Sequence, residues 1–155
     1  MKITHILAIA TAAIAAVPAA AQDPSAASLN GQVTLSSGFN NDPRVVNVVA
    51  GGTIDATRLG GQCRGVVAAN PDYKVNYTAG SLPLIISVAS RADTTLVING
   101  PDGRWYCDDD GGVNGTNPSV RFNNPQSGRY DIFVGTYSAG RPQPARLHIS
   151  ELTSQ

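Results

Sequence analysis

The sequence is short of the residues from which most catalytic centres are built. Its 155 residues include two histidines, His5 and His148, and two cysteines, Cys63 and Cys107. Methionine occurs once, as the initiator, and tryptophan once, as Trp105. Only 14% of the residues are charged, and Glu151 is the sole glutamate. The dearth of Glu, Lys and Met removes much of the usual helix-forming material. Basic excess is also missing, since eleven Lys and Arg balance eleven Asp and Glu. That balance excludes a nucleic-acid binder driven by phosphate neutralisation. Beyond residue 21 no apolar run approaches the ~18 residues of a membrane span. The length fits one ordinary domain rather than a multidomain enzyme.

The N-terminus reads as an export signal. Met1-Lys2 forms a short positive start, residues 6–17 are apolar, and Ala19-Ala20-Ala21 supplies small residues for cleavage before Gln22. The expected organisation is a signal peptide over residues 1–21, a flexible leader over 22–31 and a β-sandwich domain over 32–155. The expected location is the periplasm or the cell exterior. Lys2 and His5 depart with the signal, leaving ten Lys and Arg against eleven acidic residues, a net charge of −1.

What remains is rich in turn formers and β formers. The chain has 16 Gly and 10 Pro, enough to punctuate many short strands. Eleven β-rich runs alternate with Gly, Pro, Asn and Asp clusters: 32–35, 44–49, 53–56, 64–68, 73–77, 84–89, 95–99, 105–107, 119–122, 129–135 and 145–151. Spacing near ten residues predicts an all-β sandwich or barrel. Alternation puts Leu84, Ile86 and Val88 on one face, and likewise Tyr130, Ile132 and Val134. By the same rule Leu147 and Ile149 point inward, while Arg146, His148 and Ser150 point to water. Asn99-Gly-Pro-Asp-Gly103 predicts a hairpin turn, with Pro fixing φ and Gly supplying φ > 0. Trp105 and Cys107 then share a face. In an exported chain, two cysteines without CxxC spacing favour a Cys63–Cys107 disulfide over free thiols or a metal site. Closing a loop of about 45 residues stabilises a fold by roughly 4 kcal/mol.

Three stretches carry a resemblance. They are Asp93-Thr-Thr-Leu-Val-Ile-Asn-Gly-Pro-Asp-Gly, then Asp108-Asp-Asp-Gly-Gly, then Ser127-Gly-Arg-Tyr-Asp-Ile-Phe-Val-Gly-Thr-Tyr. Together they resemble the bacterial pre-peptidase C-terminal domain, over roughly residues 44–151. The resemblance implies a single jelly-roll-like antiparallel β-sandwich of about eight strands. That domain is usually an appendage of secreted proteases and also occurs free-standing. It implies a non-catalytic role, so a peptidase label would come by association. The cysteine pair and the leader before Arg44 are not part of the family pattern.

Candidate chemistry is sparse. Asp108, Asp109 and Asp110, with Asp93 on the neighbouring strand, are candidate calcium ligands, because hard cations take oxygen donors from such loops. Some members of the resembled family bind calcium, but their ligands do not map cleanly here. An EF-hand started at Asp110 fails, placing Gly112 at a ligand position and Arg121 where the bidentate Glu belongs. The competing reading is a solvated turn whose Asp and Asn cap backbone amides, and such turns outnumber metal sites. A Ser-His-Asp triad would have to use His148, set on an alternating strand with no Gly-x-Ser-x-Gly elbow anywhere. Chance pairs of carboxylates are expected among eleven acidic residues and do not make a glycosidase. If Trp105 faces inward, Tyr106 faces outward. Phe133 opposes the inward Tyr130 and Ile132, and Tyr137 sits in a Gly-rich loop. These three could form a platform for a protein or polysaccharide partner. The bland alternative covers them with loops. The nine arginines are scattered and read as solvated charges interleaved with Asp, not as a stripe for an anionic ligand.

The expected function is a non-catalytic, monomeric, exported binding or accessory domain with an unnamed ligand. The alternatives are a calcium-stabilised structural module of the envelope and a small hydrolase.

Overall fold

A computed structural model describes residues 21–155. In chain order the strands are β1 (Gln32–Ser36), β2 (Arg44–Ala50), β3 (Ile54–Asp55), β4 (Val66–Val67), β5 (Tyr73–Thr78) and β6 (Leu84–Ala89). They continue with β7 (Thr94–Asn99), β8 (Trp105–Asp108), β9 (Ser119–Phe122), β10 (Gly128–Thr136) and β11 (Gln143–Ser150). A 3₁₀ turn, Ala56–Leu59, is capped by Asp55, which accepts from the Thr57 N–H. Each of the eleven β-rich runs overlaps one strand.

The strands form two sheets. In the seven-stranded sheet β10 is central, with β5 and then β1 on one side and β7 and then β8 on the other. The short pair β3–β4 joins the far end of β10 through Val66 opposite Thr136. The four-stranded sheet runs β2-β11-β6-β9. The strand count therefore exceeds the expected eight. Two-residue pieces such as β3 and β4, within the β-rich runs 53–56 and 64–68, complete ladders here. The sheets are also not wholly antiparallel, because β1 runs parallel to β5.

The core lies between the sheets, as alternation requires. Leu84, Ile86 and Val88 of β6 and Leu147 and Ile149 of β11 meet Tyr130, Ile132 and Val134 of β10 in one buried cluster. Burying each such side chain contributes roughly 1.5–3 kcal/mol. The Gly100–Gly103 turn joins β7 to β8, with the Gly103 N–H donating to the Gly100 carbonyl and Gly103 at φ +74°. Only glycine takes that conformation without steric penalty.

A second, smaller core covers the opposite face of the seven-stranded sheet. Phe133, Val97, Val67, Ala56 and Cys63 pack there with Trp105 and Cys107. The Cys63–Cys107 disulfide ties the 56–65 loop over this face. The Trp105 and Phe133 ring centroids lie 5.8 Å apart beside it.

The expected signal peptide lies, apart from Ala21, outside the described residues. Two other expectations change. The segment 22–31, expected to be a flexible leader, is bonded to the body: Asp23, Leu29 and Asn30 N–H groups donate to the carbonyls of Ala69, Pro71 and Asp72. Lys74 Nζ donates to the Pro24 carbonyl at 2.9 Å. Backbone donors from a polar sequence find unpaired carbonyls at the start of β5, and the leader lies down on them. Finally, His148 and Ser150 are buried rather than solvent-facing. The C-terminal tail returns over their face of the sheet, its Gln155 N–H donating to Ser87 Oγ, and Ser87 is the cross-strand neighbour of His148.

Candidate functional site

The acidic loop is built mainly as a turn. Asp108 Oδ2 accepts from the Gly111 N–H at 2.7 Å and the Ser119 N–H at 2.8 Å, joining β8 to β9. Asp93 faces the other two carboxylates. Burial first, then the negative charges of Asp110 and Asp109, push its pKa up. Among the described residues, no group of three or more His, Cys, Asp or Glu side chains is arranged to hold a metal ion.

The expected aromatic platform does not assemble. Phe133 is fully buried beneath the disulfide. Tyr106 points into the inter-sheet core, edge-on to Phe122 with centroids 4.9 Å apart, and its hydroxyl donates to Asp102. Trp105 takes the opposite side, so the two aromatics of β8 exchange the faces expected of them. The cause is the second core, which draws Trp105 and Cys107 to the outer face. Tyr137 alone is largely exposed.

His148 is no general base. It is buried, and neither ring nitrogen has a hydrogen-bond partner. Burial chiefly, and the nearby Arg146 charge secondarily, lower its pKa. A catalytic histidine needs a nucleophile and an orienting acid within hydrogen-bond reach, and His148 has neither.

A different place has the geometry of a binding site. A groove of ≈ 640 Å³ lies on the four-stranded sheet. Its floor includes a row across three strands, Ala89 of β6, Arg146 of β11 and Asn47 of β2, in direct register. Arg91, Asn114 and Gln143 line it as well. The rim is pinned by buried Asn117. Its Oδ1 accepts from the Ser90 N–H and from Thr94 Oγ1, and its Nδ2 donates to the Ser90 and Asn114 carbonyls. With all four bonds made, Asn117 is a positioning residue that fixes the two loops flanking the groove. Arg91 and Arg146 are different. Among the described residues, neither makes an ion pair. The lining holds no carboxylate and no aromatic ring.

Sequence reasoning missed this site. Arg146 was correctly placed on the outward face. However, Arg91 is 55 residues away in the chain, and only strand register and the Asn117 clamp bring it to the same groove. Nothing in the spacing of the arginines signals it.

The Pro-Asp-Gly hairpin, the acidic turn and the central Tyr130–Val134 strand fall within one family match. Residues 70–136 match the family model of the bacterial pre-peptidase C-terminal domain. The matched segment runs from just before β5 to the end of β10. It contains Arg91, Asn114 and Asn117, whereas Asn47 and Arg146 of the groove floor lie outside it. Cys107 falls inside and Cys63 outside. No curated protein sequence matches the chain. Among solved structures, the periplasmic inhibitor of g-type lysozyme from Aeromonas hydrophila is 13% identical, with 77% of this chain and 96% of that chain covered at a TM-score of 0.37. A likeness at that level carries no argument about ligand. Among the described residues, no helix is long and apolar enough to cross a membrane.

Proposed function

We propose that this protein is an exported, non-catalytic binding module that holds an acidic, extended segment of a partner protein in the groove on its four-stranded sheet. The carrying observation is the pair Arg91 and Arg146, two guanidiniums lining a groove that contains no carboxylate. Guanidinium forks match carboxylates two hydrogen bonds at a time. Asn47, Asn114 and Gln143 add neutral hydrogen-bonding side chains for a peptide backbone. The absence of a stacking ring in the lining favours peptide over polysaccharide. A non-catalytic role is supported by the isolation of His148 and by the resemblance of residues 70–136. Export is supported by the N-terminal pattern and by the bacterial domain family.

The test is calorimetric titration with a short glutamate-rich peptide, its glutamine counterpart and a uronate oligomer. The glutamate peptide binds. Arg91→Gln/Arg146→Gln weakens it at least about tenfold, the loss expected for removal of one charge-assisted hydrogen bond. Uronate binding without peptide binding would move the reading to a polysaccharide. Equal peptide affinity in the double variant would remove the groove from it.

A further inference from the structure

β2 is the outer strand of the four-stranded sheet and pairs only with β11. At seven residues it is longer than the other edge strands, β1, β3, β8 and β9. Natural edges of this kind are blunted by lysine, proline, bulges or inward charges, because a bare edge templates pairing with another strand. The interior of β2 is Val45-Val46-Asn47-Val48-Val49 and carries none of these devices. Val45 and Val49 are 43% and 59% exposed. Both are among the exposed large apolar side chains of the described residues, and they lie on the same face as Asn47.

The five-residue run reads identically in both directions. A twofold axis through Asn47 therefore sets every residue of the run against its like in a second copy. Val45 meets Val49, Val46 meets Val48, and Asn47 meets Asn47. At the ends Arg44 meets Ala50, so no like charges are opposed. Self-complementarity about a dyad is the requirement of an isologous interface, and opposed valines and amides are favourable cross-strand pairs. The geometry points to a second copy of this chain as the occupant of the edge. β2 pairs antiparallel with β2 of that copy, and the two four-stranded sheets become one eight-stranded sheet. This replaces the monomer expected from the sequence.

The pairing has a consequence for the groove. Arg146 is in register with Asn47. The dimer therefore aligns Arg146, Asn47, and then Asn47 and Arg146 of the second copy in one row. The two Arg146 positions are three strand spacings apart, about 14 Å. Two grooves open on the same face of a shared sheet, side by side across the dyad.

The experiment is sedimentation equilibrium of the purified protein from about 1 μM to 1 mM. It reads mass, so its result is independent of the groove's ligand. The wild-type mass doubles across this range. Asn47→Lys and Asn47→Asp each oppose two like charges at the dyad and sediment as single copies at concentrations where the wild type is paired. An equal mixture of the two variants pairs again, a recovery that unfolded protein could not give. Asn47→Cys oxidises to a covalent dimer, because directly opposed residues lie about 4.5–5.5 Å apart at Cα, within disulfide reach. A wild type that stays single at the highest concentration overturns the proposal. So do charge variants that pair as the wild type does.

Discussion

Arg146 stands directly opposite Asn47 across the β11–β2 ladder, and both side chains line the groove. Arg146 makes no ion pair among the described residues, so at neutral pH folding gains no ion pair from its charge. Arg146→Gln is expected to change stability by less than about 0.5 kcal/mol. Its effect falls on binding: affinity for the glutamate-rich peptide drops, and the salt dependence of that affinity becomes shallower. Urea unfolding and titration at two ionic strengths, on the same preparation, separate the two effects. A large loss of stability with unchanged affinity would contradict the assignment.

Asn117 should behave in the opposite way. Asn117→Ala removes four hydrogen bonds at once and leaves the Ser90 and Asn114 carbonyls without their donor. The expected cost is about 2–4 kcal/mol, since buried groups left unpaired lose their full desolvation energy. Asn117→Asp keeps the acceptor and turns a charge towards two carbonyls, so it too destabilises. Denaturant midpoints check both, and an Asp variant as stable as wild type would refute the clamp.

Two buried groups give opposing pH dependences. Burial pushes the Asp72 carboxyl up to about 7, against the single Val134 N–H that it accepts. Its folded pKa exceeds the unfolded value of 3.8. Its stabilisation is therefore complete below about pH 4 and is lost as pH rises towards 7, on the order of 4 kcal/mol in all. Asp72→Asn should abolish that slope. His148 has a folded pKa lowered from 6.5. Its contribution is full above pH 6.5 and is lost as the pH falls through 6.5 towards the folded value. His148→Gln, whose amide does not titrate, should flatten the acid side. Melting temperatures from pH 4 to 8 for the two variants resolve the two slopes, and a wild-type slope surviving in both would reject this account.

The disulfide is expected to matter locally and globally. The Cys63→Ala/Cys107→Ala variant loses roughly 4 kcal/mol, from a loop of 44 residues. Trp105 packs in the same small core as both cysteines. Its emission should therefore shift to longer wavelength in the double variant while the inter-sheet core, read by far-UV circular dichroism, persists. An unchanged Trp105 spectrum would show that the second core stands without its staple.

Asp93 is crowded by Asp109 and Asp110. Asp93→Asn should raise the melting temperature at pH 7 and leave it unchanged at acid pH, where the carboxyl is already neutral. Millimolar calcium is expected to move the wild-type melting temperature by no more than about a degree, because Asp108 is committed to the Gly111 and Ser119 amides. A calcium shift that disappears in Asp109→Ala/Asp110→Ala would establish the calcium reading in its place.

Sequence by itself determined the class and much of the plan. Period-two alternation marked Leu84, Ile86 and Val88, Tyr130, Ile132 and Val134, and Leu147 and Ile149 as one core, because a strand's faces alternate wherever it lies. Turn chemistry located the Gly100–Gly103 hairpin, and the two cysteines allowed a single pairing. Tertiary structure decided what covered the other faces. Alternation says that Phe133, His148 and Tyr106 point away from particular neighbours, not whether a loop, a tail or a second core lies over them. The stapled 56–65 loop buried Phe133, the returning C-terminus buried His148, and Trp105 drew Tyr106 inward. The groove belongs wholly to that second level. Its floor is a row in register across three strands, and its rim is two loops held by one asparagine. Register and packing set both, and neither is written in the local spacing of residues.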